Sequence, residues 1–256
     1  MDQDYSKTNQ KSRAKAQSET EVTSAQVVEI NSAQSATINP ARSRAAAGIE
    51  INKVLRNTYM LLSLTLLFSG LTAAISMAMN MPPITYLISV IGGMVIAMFV
   101  LPRFANSTAG IGIVFLVTGM LGFGLGPMLS AYASLPNGGN IIMLALGGTG
   151  VIFMGLSAYV LATRKDFSFL GGFLMVGFLL VLVAAIANIF LQIPAMSLMI
   201  SAVVIMIMSG FILYDTSRII NGGETNYVLA TIGLYMTIFN IFISLLQILG
   251  IMGGDD

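Results

Sequence analysis

Seven long apolar segments, separated by short breaks rich in proline, glycine and asparagine, constrain this chain more than any other feature. A helix needs about 20 residues, at ~1.5 Å each, to cross a hydrocarbon core of ~30 Å. The breaks carry the residues that are typical of helix ends. The predicted spans cover residues 58–79, 84–101, 108–133, 140–162, 167–190, 195–217 and 226–252. The sequence therefore predicts an all-α membrane protein with seven transmembrane helices.

Charged residues are concentrated at the N-terminal end. Only 9% of the 256 residues are charged, against roughly 25% in soluble domains. Residues 1–56 hold eight Lys or Arg and six Asp or Glu, whereas the other 200 hold four and five. Residues 1–50 contain few bulky apolar side chains and are predicted to form a disordered tail. This tail is either inert or a docking handle, and residues 51–256 form the predicted seven-span domain.

The residue types that are missing exclude several kinds of active site. The chain has no cysteine and no histidine, which removes thiolate metal sites, Ser-His triads and the paired-histidine zinc motif. The sequence also lacks a phosphate-binding loop and a dinucleotide fingerprint. We therefore expect no enzyme activity, no cofactor, no metal site and no nucleic-acid partner.

Basic residues in the loops predict the orientation in the membrane, because they are enriched on the cytoplasmic side. With seven spans, every Lys and Arg falls on the side of the N-terminus. Those nearest to the spans are Arg42, Arg44, Lys53, Arg56, Arg103, Arg164, Lys165 and Arg218. The N-terminus is therefore predicted to be cytoplasmic and the C-terminus periplasmic, in a multi-pass protein of the bacterial inner membrane.

Asp215 is the only acid inside a long apolar segment, and ionisable groups in such segments are candidates for function. Arg218 follows at i+3, on the same helix face. One interpretation is a local ion pair at the membrane edge. The other places Asp215 in the bundle interior, as a proton- or cation-sensitive gate. Glu224, in the turn that follows, is interpreted as a solvated acid near a helix N-terminus.

Two further features lie within spans. Thr237, Asn240, Ser244 and Gln247 form one polar face of the last span, which predicts a central helix. That face either forms interhelical hydrogen bonds or lines a narrow polar pathway. Gly126 and Pro127 interrupt the third span, where a proline removes a backbone donor. They form either a hinge or a packing bend.

Several stretches identify a family by resemblance. GFGLGPMLSAY, SAYVLATRKDFSFLGG, ANIFLQIPA and GGETNYVLATIGLY, together with the segment that starts at Ile51, resemble the Bax inhibitor-1 family in its bacterial YccA-like branch. The resemblance covers the chain from about Ile51 to the end. It implies a seven-span bundle around a central last helix.

The resemblance also implies two functions. Members of the calcium-leak type carry paired aspartates in the last two helices, which form a pH-sensitive latch; Asp215 matches the first, but Thr237 stands at the second position. Members of the YccA-like branch regulate a membrane-anchored FtsH-type AAA protease, which pulls on cytoplasmic tails. The expected function is therefore modulation of an FtsH-type protease. The alternative is a calcium or proton leak gated at Asp215.

Overall fold

The computed structural model describes residues Gln26 and Glu29 and the continuous stretch 40–253, in which all secondary structure is helical. Seven helices of this part are long and apolar enough to cross a membrane. They are α1 Pro40–Ala78, α2 Ile84–Phe104, α3 Thr108–Ala133, α4 Gly138–Thr163, α5 Leu170–Leu191, α6 Pro194–Ile220 and α7 Tyr227–Met252. The predicted fold class, an all-α membrane protein with seven spanning helices, is confirmed.

The first helix begins at Pro40, inside the segment that the sequence predicts to be disordered. Its first turns hold alanine at position 41 and at positions 45–47, and alanine has the highest helix propensity. A proline at the start of a helix also has its backbone angle preset. A prediction based on the lack of bulky apolar residues did not consider this propensity. The tail before residue 40, except Gln26 and Glu29, lies outside the described residues.

Helix α2 continues past Pro102, where the sequence predicts a stop, and ends at Phe104. The five residues before Leu101 form a π-helical turn, Ile96–Val100, and the Leu101 N–H donates to the carbonyl of Ile96. The extra residue in this turn changes the hydrogen-bond register just before a residue that has no N–H. The helix can therefore pass through the proline and carry Arg103 at its end.

The turn between α4 and α5 is fixed to the end of α6 through one side chain. The Ser217 hydroxyl oxygen accepts hydrogen bonds from the Phe167 N–H at 2.8 Å and from the Asn221 amide at 3.2 Å. Asp166 accepts from the Ser168 N–H at 2.8 Å. These bonds hold residues 166–168 in a turn, so α5 begins at Leu170, three residues after the predicted start of its span.

The last helix is the centre of the bundle. Buried residues lie on all sides of α7, among them Val228, Leu234, Ile241 and Leu246. It packs on α3, α4 and α6. Its Thr231 hydroxyl donates to the carbonyl of Tyr227 in the same helix at 2.7 Å and, more weakly, to that of Thr58 in α1 at 3.3 Å. Among the described helices α5 is the most exposed, with burial confined to Leu174. The predicted central last helix is therefore confirmed.

Small residues let α1 and α3 approach closely. A side chain added at Gly122 would collide with the backbone and hydroxyl of Ser69, and one at Gly126 would collide with Ser76. Small residues at such crossings are typical of membrane helices, whose association depends on close van der Waals packing. Gly122 and Gly126 are therefore packing positions at this interface, whereas Gly124 packs against Ser89 of α2.

Candidate functional site

Asp215 lies near the end of α6 and faces the central helix. Its side chain is partly buried, and its Oδ2 lies 3.5 Å from the position that a Cβ on Gly233 would occupy. A Cβ at position 233 would therefore be in van der Waals contact with this carboxylate. Within the described part of the chain, Asp215 forms no ion pair with a basic residue. The acid is therefore directed at the backbone of α7.

Arg218 is directed away from Asp215 and towards the following turn. Its guanidinium forms an ion pair with Glu224 at 3.3 Å and donates to the carbonyl of Gly223 at 3.2 Å. It also lies over the ring of Tyr214, 5.5 Å from the centroid. Since both partners of the ion pair are partly exposed, at 35% and 19%, the pair contributes at most about 1 kcal/mol. The structure thus joins Arg218 and Glu224 and leaves Asp215 outside their pair.

The α6–α7 turn is a compact reversal that depends on one glycine. Gly222 has a φ of +76°, in the region that glycine enters without a steric penalty. The N–H groups of Gly223 and Glu224 both donate to the carbonyl of Arg218, at 2.8 and 3.1 Å. These bonds satisfy the end of α6 and bring Glu224 next to the guanidinium.

Asn226 connects this turn to the turn between α2 and α3. Its side-chain oxygen caps α7 by accepting from the N–H groups of Val228 and Leu229, at 2.9 and 3.2 Å. Its amide group donates to the carbonyl of Ala105 at 3.0 Å and to the side chain of Asn106 at 2.7 Å. One residue therefore sets the start of the central helix and its position against α2. Sequence analysis did not single it out, although Asn before an apolar helix is a capping signal.

The polar face of α7 bonds mainly to its own helix. The Thr237 hydroxyl, which is buried, donates to the carbonyl of Gly233 at 3.1 Å, and the Asn240 amide donates to that of Met236 at 2.8 Å. Gln247 instead accepts from the Ser201 hydroxyl of α6 at 2.8 Å. Thr237 and Asp215 therefore both lie at Gly233, one bonded to its carbonyl and the other packed against its Cα.

The two hinge candidates lie elsewhere in the bundle. Gly126 packs against Ser76 of α1, and α3 continues as one helix through Pro127 to Ala133. The Ser76 hydroxyl is buried and has no hydrogen-bond partner in the described part of the chain. The structure places Gly126 in the α1–α3 interface, with Pro127 next to it in α3, and groups neither with Asp215.

A buried chain of hydrogen bonds crosses the middle of the bundle. The Tyr235 hydroxyl donates to the carbonyl of Thr118 in α3 at 3.2 Å and lies 2.6 Å from the hydroxyl of Ser69 in α1. A tyrosine hydroxyl has one hydrogen, so Ser69 is the donor of the second bond. In the sequence, Tyr235 stands out only as part of a family motif. A single tyrosine in the middle of an apolar span is the signal that could have identified it.

The site offers hydrogen-bonding groups, the carboxylate of Asp215 in α6 and the Arg218–Glu224 ion pair of the following turn. Residues 40–253 contain no group of three or more acidic residues placed to hold a metal ion. Outside the spans, hydrogen bonds from the Ser168 hydroxyl and N–H keep the pKa of Asp166 below its usual value. That acid stays ionised beside Lys165 at neutral pH and contributes to the charge of the α4–α5 turn.

The fold and this site together define a multi-pass helical membrane protein with a central last helix and one partly buried acid beside it. The chain belongs to the Bax inhibitor-1 family: the family model described as "Inhibitor of apoptosis-promoting Bax1" matches residues 51–254. The match begins within α1 and includes every later helix. The family resemblance seen in the sequence is thereby confirmed.

Several bacterial proteins are similar to most of the chain. The "Modulator of FtsH protease YccA" of Escherichia coli is 52% identical over 207 residues, which cover 81% of this chain and 94% of that protein. An uncharacterized membrane protein of Vibrio cholerae is 50% identical over 208 residues, covering 81% and 93%. An uncharacterized protein of Pseudomonas aeruginosa is 50% identical over 214 residues, covering 84% and 96%.

Proposed function

We propose that this protein is an integral protein of the bacterial inner membrane that modulates a membrane-anchored FtsH-type AAA protease and has no catalytic activity of its own. The observation that carries the proposal is the 52% identity to a protein named as a modulator of FtsH, over 94% of that protein's length. The family match includes the transmembrane body, residues 51–254, and leaves the N-terminal segment of this chain outside it.

The N-terminal tail is the part that the protease engages in this proposal. The segment before residue 51 is polar and carries Lys and Arg at several positions, and the basic residues of the loops predict that it is cytoplasmic. An AAA protease acts on its substrates by pulling on such a tail. The match to the Escherichia coli relative leaves 19% of this chain and 6% of that protein unmatched.

The transmembrane body resists extraction in this proposal. Its central helix is bonded to α1 through Thr231 and Tyr235 and to α6 through Gln247. Close packing at Gly122 and Gly126 adds van der Waals contact between α1 and α3. A protease that holds the tail would therefore be occupied by a bundle that unfolds slowly, and its activity towards other membrane proteins would fall.

The test measures the degradation of a reference membrane substrate by the FtsH-type protease in membranes that contain this protein. We expect the full chain to slow degradation and a variant without residues 2–39, which keeps the whole of α1, to lose that effect. A variant whose residues 2–39 are scrambled in order separates two explanations. It should still slow degradation if only the composition of the handle matters, and it should lose the effect if the protease docks on a specific sequence. Equal slowing by the full chain and the deletion variant would contradict the tail mechanism.

A second candidate function is a calcium or proton leak gated at Asp215. The observation that favours it is the partly buried carboxylate, which faces Gly233 of the central helix and stands outside the Arg218–Glu224 pair. The test is flux of calcium and of protons into liposomes that contain the purified protein. Asp215→Asn should change the flux and its pH dependence, whereas the exposed Asp166→Asn should not. Identical flux in all three proteins would remove this candidate.

A further inference from the structure

A cleft of about 400 Å³ opens between α1 and α4, with α7 as its floor and Leu125 and Leu129 of α3 on one side. Its walls are formed by α1 from Leu66 to Met77 and by α4 from Ile142 to Phe153. This volume lies within the range of about 300–1,000 Å³ that ligand sites occupy. The cleft is therefore large enough to hold a molecule.

Small residues of α1 leave the edge of the cleft open, because they do not fill the space between the two walls. Gly70 and Ala74 of α1 and Leu146 of α4 are exposed at this edge. A side chain added at Gly70 would meet nothing within 4 Å. All three positions lie within membrane-spanning helices. The medium on the open side of the cleft is therefore lipid hydrocarbon.

The polar groups in the cleft are already satisfied. The Thr149 hydroxyl donates to the carbonyl of Ala145 at 2.7 Å. The Ser69 and Tyr235 hydroxyls bond to each other, and Tyr235 also donates to the carbonyl of Thr118. The other lining residues are apolar. A cavity without free polar partners does not hold ordered water, and it offers no ligand to an ion or to a lipid headgroup.

The dimensions of the cleft match one leaflet. The wall on α1, residues 66–77, is about 17 Å long at ~1.5 Å per residue, close to half of a hydrocarbon core of ~30 Å. One end is closed, because the rings of Tyr59 and Phe153 join α1 to α4 with centroids 5.9 Å apart. The other end, at Met77 and Ile142, lies towards the membrane surface where α1 ends and α4 begins.

We propose that this cleft binds one acyl chain of a membrane phospholipid. The lipid belongs to the leaflet at the C-terminal end of α1, and the terminal methyl of the bound chain lies at Phe153. The headgroup stays in the interface near the α1–α2 and α3–α4 turns and adds no specificity within the cleft. The cleft selects acyl chains by length and shape. The bound acyl chain fills the gap between α1 and α4.

The experiment uses the full chain in vesicles of phosphatidylethanolamine and phosphatidylglycerol that contain a phospholipid with a photoreactive diazirine on one acyl chain. Labelled peptides are mapped by mass spectrometry. A diazirine next to the terminal methyl should label the peptides of Leu66 and Phe153, and one near the carboxyl end should label those of Met77 and Ile142. The outward face of α5, for example Phe173, which is 74% exposed, reports non-specific labelling.

Variants with a larger residue in the cleft test the assignment. Gly70→Leu and, independently, Ala74→Leu should lower cleft labelling several-fold. Gly112→Leu is the matched control, since Gly112 is also exposed and an added side chain there meets nothing within 4 Å. Circular dichroism and the melting temperature show that each variant is folded. If one filling variant does not fold, the other still gives the comparison.

Three results would overturn the proposal. Labelling of the cleft at the level of Phe173 would mean that the cleft holds no particular chain. Undiminished cleft labelling in both filling variants would mean that the label reaches these peptides by another route. The third result is labelling of the cleft in pure lipid vesicles but not in native membranes, together with cross-linking of an Ala74→Cys variant to another chain in those membranes. This would mean that a partner helix occupies the cleft.

Discussion

The hydroxyl oxygen of Tyr235 lies 2.6 Å from that of Ser69, so the central helix is bonded to the first helix in the middle of the membrane. Both residues are buried, and Tyr235 passes the chain of hydrogen bonds on to the Thr118 carbonyl. This link orients α7 about its axis, because it fixes one side of the helix against α1 and α3. Asp215 then meets the opposite part of the same helix, at Gly233.

Removing the Tyr235 hydroxyl should destabilise the bundle. Tyr235→Phe leaves the Ser69 hydroxyl without its acceptor and should lower the free energy of unfolding by about 1 kcal/mol, within the range for interhelical hydrogen bonds in membranes. Reversible unfolding in mixed micelles with SDS measures this change. Tyr159→Phe is the control, since the Tyr159 hydroxyl accepts only from the exposed Lys165 at 3.4 Å. Equal effects of the two variants would show that the buried bond does not contribute.

The two roles of Asn226 can be separated by two substitutions. Asn226→Asp keeps the oxygen that caps α7 but removes the amide that donates to Ala105 and Asn106. Asn226→Ala removes both, and loss of an N-cap lowers stability by about 1 kcal/mol. We therefore expect Ala to be more destabilising than Asp in the same unfolding assay. An order in which Asp is the worse variant would show that the connection between the turns outweighs the cap.

Close packing of α1 and α3 predicts a steric effect. The Cβ of Gly126→Ala would collide with Ser76, which lies in a buried position. Overpacking of this kind lowers stability by about 1–3 kcal/mol. The exposed Gly112→Ala in the same helix has free space and should raise stability slightly, because alanine favours helix more than glycine. We therefore expect Gly126→Ala to lower the melting temperature and Gly112→Ala to raise it. An equal decrease in both variants would point to helix flexibility and not to packing.

The sequence predicts features that depend on local interactions, but not those that depend on contacts between residues far apart in the chain. Apolar length and the breaks between segments are local properties, so the seven helices could be predicted, and the polar face of α7 indicated its central position. The pair of Asp215 and Arg218 shows the limit of this reasoning. Their spacing places them on one helix face, but the turn that Gly222 makes possible brings Glu224 to the guanidinium instead. Such contacts depend on backbone geometry that side-chain spacing does not contain.

Asn226 and Tyr235 show the same limit at longer range. Asn226 bonds to residues about 120 positions earlier in the chain, and Tyr235 to a residue 166 positions earlier. A single sequence indicates that such polar groups need partners when buried, but it does not say which. The extension of α1 to Pro40 differs, because its alanine-rich start was visible in the sequence.

The predicted orientation can be tested with single cysteines, because the natural chain has none. Cysteines at Asn106, Lys165 and Gly223, in the α2–α3, α4–α5 and α6–α7 turns, should react with a membrane-impermeant maleimide only after the inner membrane is opened. Cysteines at Met81, Asn137 and Gln192, in the other three turns, should react in cells whose outer membrane alone is permeabilised. The charge asymmetry gives the reason, since Arg103, Arg164 and Arg218 all flank the first set. The reverse pattern would place the N-terminal segment in the periplasm, where a cytoplasmic protease domain cannot reach it, and would contradict the proposed tail mechanism as well.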